Sequence, residues 1–324
     1  MGSDSGLVAA YALNGKGGGT RLGWDDVRLW RGDEGFLWVH LDLTDPVAQH
    51  WVSGESGLTE VVAEALLADE TRPRSSFMKE GLLVMLRGVN TNPGAEPEDM
   101  VALRIWVEDR RVVTTRRRRL LSIMDVGESI DKNDGPMTPG ELLVTLSDCL
   151  VERMAVVIDE IDEHVDRLES DVVESENPRL RHELADLRTQ VIALRRYLSP
   201  QREAMVRLSQ ERNQWLSDVN QVHLREVSDR IIRYVEDLDA VRDRAAVVQE
   251  ELASRLSEQL NKRMYMLSMV TAVFLPLGFL TGLLGVNVGG IPGSDNVFGF
   301  AWVIGLVVAL VVLQVWVFKR QRRF

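Results

Sequence analysis

Apolar and polar positions divide the chain into three stretches with different periods. Up to about residue 116, short runs alternate or are continuously apolar: LVAAYAL (7–13), FLWVHLDL (36–43), EGLLVMLRGV (80–89) and VALRIWVEDRRVVTTR (101–116). Runs of this length bounded by glycine and polar residues predict strands, and the last predicts a hairpin turning at Asp109–Arg110. Between them, DPVAQHWV after Thr44 and LTEVVAEALLAD (58–69) have helical spacing. A mixed α/β domain is expected over 1–140, followed by a helical region over 141–219.

From about Asn220, Leu224, Val227, Ile231, Val235, Leu238, Val241, Ala245, Val248 and Leu252 recur every three or four residues. This is the apolar seam of a long amphipathic helix, a stalk over 220–263, and nothing interrupts it before the next apolar run. One helix from 221 to 284 would be about 96 Å long at ~1.5 Å per residue, so its seam needs partners; copies of the chain around an axis would supply them. Pro178 and Pro200 suggest helix starts nearby.

The third stretch holds two uncharged runs of 21 residues, 264–284 and 298–318. About 20 apolar residues span a bilayer core, so these predict two transmembrane helices joined by a loop over 285–297 and followed by a basic tail, 319–324. Lys262–Arg263 precede the first span and Lys319–Arg323 follow the second, which places both outer ends, and so both termini, in the cytoplasm. Trp302 and Trp316, about 21 Å apart along a helix, suit the two interfaces. The amino terminus has no signal-peptide pattern, as expected of a body that stays in the cytoplasm.

Charge sharpens this division. Residues 261–324 carry six basic side chains against Asp295 alone, leaving the first 260 strongly acidic within a net charge of −11. That balance argues against a nucleic-acid partner. The single cysteine, Cys149, excludes a disulfide framework, and no nucleophile–base set or phosphate loop marks an enzyme. NGKGGGT (14–20) lacks phosphate-loop spacing and reads as a hairpin turn.

In the first span Met264, Ser268, Thr271, Leu275, Gly278, Gly282 and Gly285 share one face. The stripe is small with two hydroxyls, suited either to lining a pore or to close helix packing in lipid. Pro276 leaves the carbonyl of Ala272 without its helical donor, to be satisfied by pore water or absorbed in a packing kink. Neither span holds an Asp, Glu, Lys, Arg or His, which weighs against a proton relay there. The region 152–176 contains ten acids and two arginines; Glu160 and His164, one turn apart, make a candidate two-ligand metal pair, although such a run is more often a solvated face and such a histidine a lone surface one.

FLPLGFLTGLLGVN (274–287), with a Gly-x-Asn triplet where a first span ends, resembles the pore-helix end of the CorA metal-ion transporters. VGGIPG (288–293), ETRPR (70–74), RRYLSPQR (195–202) and RMYMLSMVTAVFLP (263–276) resemble that family's zinc-transporting ZntB branch. The resemblance implies an α+β membrane protein: a funnel-shaped homopentamer of the bacterial inner membrane, with no cofactor and a stalk helix continuing into the pore. It implies that Gly285, Val286 and Asn287 form the outer entrance and selectivity element, with Gly282, Gly278, Leu275, Leu267, Met264 and Asn261 further in. The implied cargo is Zn2+, with Cd2+ or Ni2+ beside it, and proton coupling; a Mg2+/Co2+/Ni2+ channel and a membrane-anchored metal sensor or scaffold are the alternatives. Gly278 stands where the family often has threonine. Asp295 is the only charge in a loop where magnesium-transporting members often place an acid directly after the signature.

Overall fold

The computed structural model describes residues 5–32, 35–174, 179–211, 214–285 and 297–321. The chain divides into two compact units, Met1–Gln249 and Glu250–Phe324.

The first unit is built on a seven-stranded sheet in the order β2-β1-β3-β7-β6-β5-β4. The strands are β1 (Leu7–Leu13), β2 (Gly19–Arg21), β3 (Phe36–Asp42), β4 (Arg74–Phe77), β5 (Leu82–Gly88), β6 (Val101–Val107) and β7 (Arg111–Arg116). All neighbours are antiparallel except β3 and β7, paired in parallel from Leu37↔Arg111 to Asp42↔Arg116. The continuously apolar runs are the central strands, buried on both faces, as such runs require. One face is covered by α1 (Trp24–Leu29), α2 (Pro46–His50) with a π-helical turn after it, and α3 (Glu60–Leu67), whose Trp24, Trp51, Val62 and Leu66 pack on Leu37, Val39, Met85 and Val113.

The glycine run does turn a hairpin. Asn14 N–H donates to the Gly18 carbonyl at 2.9 Å, Gly17 has φ +90°, and a Cβ on Gly18 would collide with Asn133 Oδ1. The β6–β7 hairpin turns at Glu108–Arg111, as its sequence predicts. Three elements escape the sequence pattern: the short α1, β4, which is polar, and α4 (Leu121–Asp131), which follows an arginine run.

Three long helices complete the unit: α5 (Pro139–Glu174), α6 (Leu180–Gln210) and the first part of α7 (Asp218–Leu284). Pro200 lies inside α6 rather than at a helix start, because the buried seam Leu194, Leu198, Gln201, Met205 continues across it. The loss of one helical hydrogen bond is outweighed by that continuous apolar face. Next to Pro200, Gln201 reaches β5: Arg87 N–H donates to its Oε1 at 2.6 Å and its Nε2 donates to the Arg87 carbonyl at 3.1 Å. The amide side chain thus caps backbone groups of β5 beyond the end of β4.

From Leu224 to Val248 the α7 seam finds partners inside the chain itself. Leu224, Val227, Ile231, Val235, Leu238, Val241, Ala245 and Val248 are all buried. Charged pairs tie this helix to its neighbours: Arg195 of α6 with Asp239, and Arg230 and Arg244 with Asp148, Asp162, Asp166 and Glu169 of α5. Cys149 of α5 is half-buried, and burial together with Asp148, Asp125 and Glu152 pushes its thiol up to about 11.

Candidate pore helix and its partner

The second unit contains the rest of α7, Glu250 to Leu284, and α8 (Gly299–Gln321). In α7, Met269, Val273, Pro276, Leu277 and Leu280 are partly covered, while the residues around them are exposed. In α8, Val303, Val307, Leu310, Val311, Gln314 and Phe318 are partly covered, again at three- and four-residue steps. These are the two facing sides of a helix pair, with a register marked by one hydrogen bond: Gln314 Nε2 donates to the Ala272 carbonyl at 3.1 Å.

The stripe singled out in the sequence lies on the other side of α7. At about 100° per residue, Met264, Ser268, Thr271, Leu275, Gly278 and Gly282 centre roughly 170° from the face that α8 covers. All six are exposed, as are Leu267 and Asn261, with Leu275 70% and Leu267 68% accessible. A Cβ built on Gly278 or Gly282 would meet nothing within 4 Å. Their small size therefore does not serve the contact with α8; among the described residues this face has nothing to pack against.

The hydroxyls are partly engaged. Thr271 Oγ1 donates to the Leu267 carbonyl at 2.9 Å, leaving its lone pairs as acceptors. Thr281 donates to its own helix, to the Leu277 carbonyl at 2.9 Å and the Gly278 carbonyl at 3.2 Å. The helix closes with Gly285 N–H on the Thr281 carbonyl at 2.9 Å. Val286, Asn287 and Asp295 lie outside the described residues.

The carbonyl freed by Pro276 is met by a donor from the second apolar helix. Gln314 lies outside the residues that the sequence pattern marks, which are the hydroxyls and glycines of the first span. Its signal is there in retrospect: it is the one side-chain amide in 298–318, opposite a proline-broken ladder.

The other candidate site gains no support. Among the described residues no group of three or more His, Cys, Asp or Glu side chains is placed to hold a metal, so Glu160 and His164 remain a pair. Around them Arg244 pairs with Asp162, Asp166 and Glu169, and its hydrogen bond holds the Glu169 carboxyl below its ordinary range. Three of the ten acids thus form a charge seam between α5 and α7.

Fold and helix pair together define a class: an α/β body whose chain ends in two helices apolar enough to cross a bilayer. Comparison with known proteins narrows it. A family model described as CorA-like Mg2+ transporter protein matches residues 33–320. Over 324 residues the chain is 40% identical to the divalent cation transporter CmaX of Pseudomonas aeruginosa, covering 99% of this chain and 98% of the relative. It is 39% identical over 318 residues to the zinc transport protein ZntB of Pectobacterium atrosepticum, covering 98% and 96%. The structure of full-length CmaX superposes with a TM-score of 0.88 at 38% identity, over 99% of each chain. The CorA magnesium transporter of Methanocaldococcus jannaschii shares the fold, with a TM-score of 0.82 at 17% identity over 97% and 98% of the two chains. This chain belongs to the CorA family of divalent-cation transporters.

Proposed function

We propose that this protein is a zinc transporter of the inner membrane, with both termini cytoplasmic, working as a homopentamer whose central pore is lined by five copies of the second half of α7. The observation that carries this reading is the uncovered stripe Met264–Gly282, small and weakly polar, directly away from α8. Five such faces around an axis would give one another the neighbours they lack in the single chain. Thr271 and Ser268 oxygens and backbone carbonyls can receive a hydrated cation without binding it tightly. Gly285, Val286 and Asn287 would form the outer entrance. Zinc as cargo is supported by the full-length likeness to relatives named for zinc transport; cadmium and nickel are its chemical neighbours. With no carboxylate in either span, proton coupling would draw on groups outside them.

The test is flux into liposomes containing the purified protein, run over Zn2+, Cd2+, Ni2+, Co2+ and Mg2+, with and without a pH gradient. Zinc should pass, and Asn287→Ala should cut flux or discrimination on the order of tenfold, the scale of about 1.4 kcal/mol for one lost hydrogen bond. Preference for Mg2+ would assign the protein to the magnesium, cobalt and nickel channels instead. A protein that passes no ion, and tolerates Asn287→Ala, would be an anchor.

A further inference from the structure

Two features of the second unit that are unfavourable apart explain each other together. Pro276 has no amide hydrogen, so the Ala272 carbonyl has no donor within its own helix. In hydrocarbon such a group is costly. Gln314 is likewise expensive where it stands, a primary amide in an otherwise apolar run. Its Nε2 donates to the Ala272 carbonyl at 3.1 Å, filling the gap that the proline makes. The amide orientation follows from chemistry, since a carbonyl accepts only from the nitrogen end. The Oε1 end is buried without a partner among the described residues, so the bond to Ala272 is what the side chain gains by being there.

The place of this bond matters more than its strength. It joins α8 to α7 at the point where the α7 ladder is broken. Beyond it, toward Leu284, only Val273, Pro276, Leu277 and Leu280 are partly covered among the described residues, and Gly278 and Gly282 contribute no side chain to any contact. Among the described residues the segment Leu277–Leu284 is therefore held to α8 by few apolar contacts and, just before it, by this polar tie. We propose that Gln314 is a positioning residue for ion passage: by closing the Ala272 carbonyl it pins the outer half of the pore-lining helix to α8 and so sets the width of the pore there. The link to ion passage rests on the pore reading above, whereas the pin itself does not.

The experiment is a double-mutant cycle on the full-length protein in liposomes and nanodiscs. Pro276→Ala restores an amide hydrogen that can bond Ala272 within the helix and makes the Gln314 amide redundant. Gln314→Leu leaves an apolar span that inserts readily, with the carbonyl orphaned only while Pro276 is present. Zinc flux and hydrogen–deuterium exchange across 277–284 are read for all four proteins. Gln314→Leu should change flux about threefold and raise exchange in that segment by a similar factor, the scale of one interhelical hydrogen bond in a membrane. In the Pro276→Ala background the same substitution should change neither. Equal effects in both backgrounds, or no change in exchange when Gln314 is replaced, would overturn the pin. Absence of flux from the wild type would instead overturn the pore reading and the proposed role in ion passage, while the exchange cycle still decides the pin.

Discussion

His40 lies fully buried in β3, its Nδ1 2.8 Å from Thr114 Oγ1, which also accepts from Trp38 Nε1 at 2.9 Å. Burial and the neighbouring Arg116 lower its pKa from 6.5 to about 3, so the ring is neutral in the folded protein. As pH falls below about 6.5, the unfolded chain takes up a proton that the folded one refuses. Stability from this group is complete above pH 6.5 and is lost progressively toward pH 3. Melting of the purified protein between pH 7.5 and 5 should show this loss, and His40→Gln should melt lower at pH 7.5 but with a shallower pH slope. An unchanged slope would mean that other groups carry the acid sensitivity. At this scale the sequence is informative about residue type and silent about company. FLWVHLDL reads as a strand, but the role of its histidine depends on Thr114, brought alongside by the parallel β3–β7 pairing.

Among the elements, the contact of α6 with β5 depends on one side chain. Gln201 satisfies both backbone groups of Arg87, so Gln201→Leu leaves a buried N–H and a buried carbonyl unpaired, at about 1–3 kcal/mol each. A loss of roughly 3 kcal/mol in denaturant unfolding is expected, with Gln201→Glu recovering only the acceptor half. The strands and most helices are legible from hydrophobic period because their burial is one- or two-sided in a regular way. Pro200 misleads for the opposite reason: the local rule marks a helix start, but the seam from Leu194 to Met205 outweighs one lost hydrogen bond. The α7 seam is equally plain in sequence, yet its partners are not. Periodicity shows that Leu224–Val248 must be covered; only the folded chain shows that α5 and α6 do it.

For the molecule as a whole, the candidate site is legible to the extent that it is helical. A period of 3.6 residues places the stripe on one face, but which face α8 takes is a long-range fact, and the lone amide of Gln314 and the broken ladder at Pro276 do not by themselves say that the two meet. The uncovered stripe and the facing seam can be told apart chemically, because the protein's own thiol is quiet. With its pKa raised to about 11, Cys149 is almost wholly protonated at neutral pH and half-hidden besides. Single cysteines introduced at Ser268, Thr271 or Leu275 should therefore react with a charged, water-soluble thiol reagent, whereas Val273→Cys and Leu280→Cys should not. Labelling that does not follow this division would place the water elsewhere. Cys149 thus gives the protein a nearly silent background, so that the path of water through it can be mapped one residue at a time without first removing a native side chain.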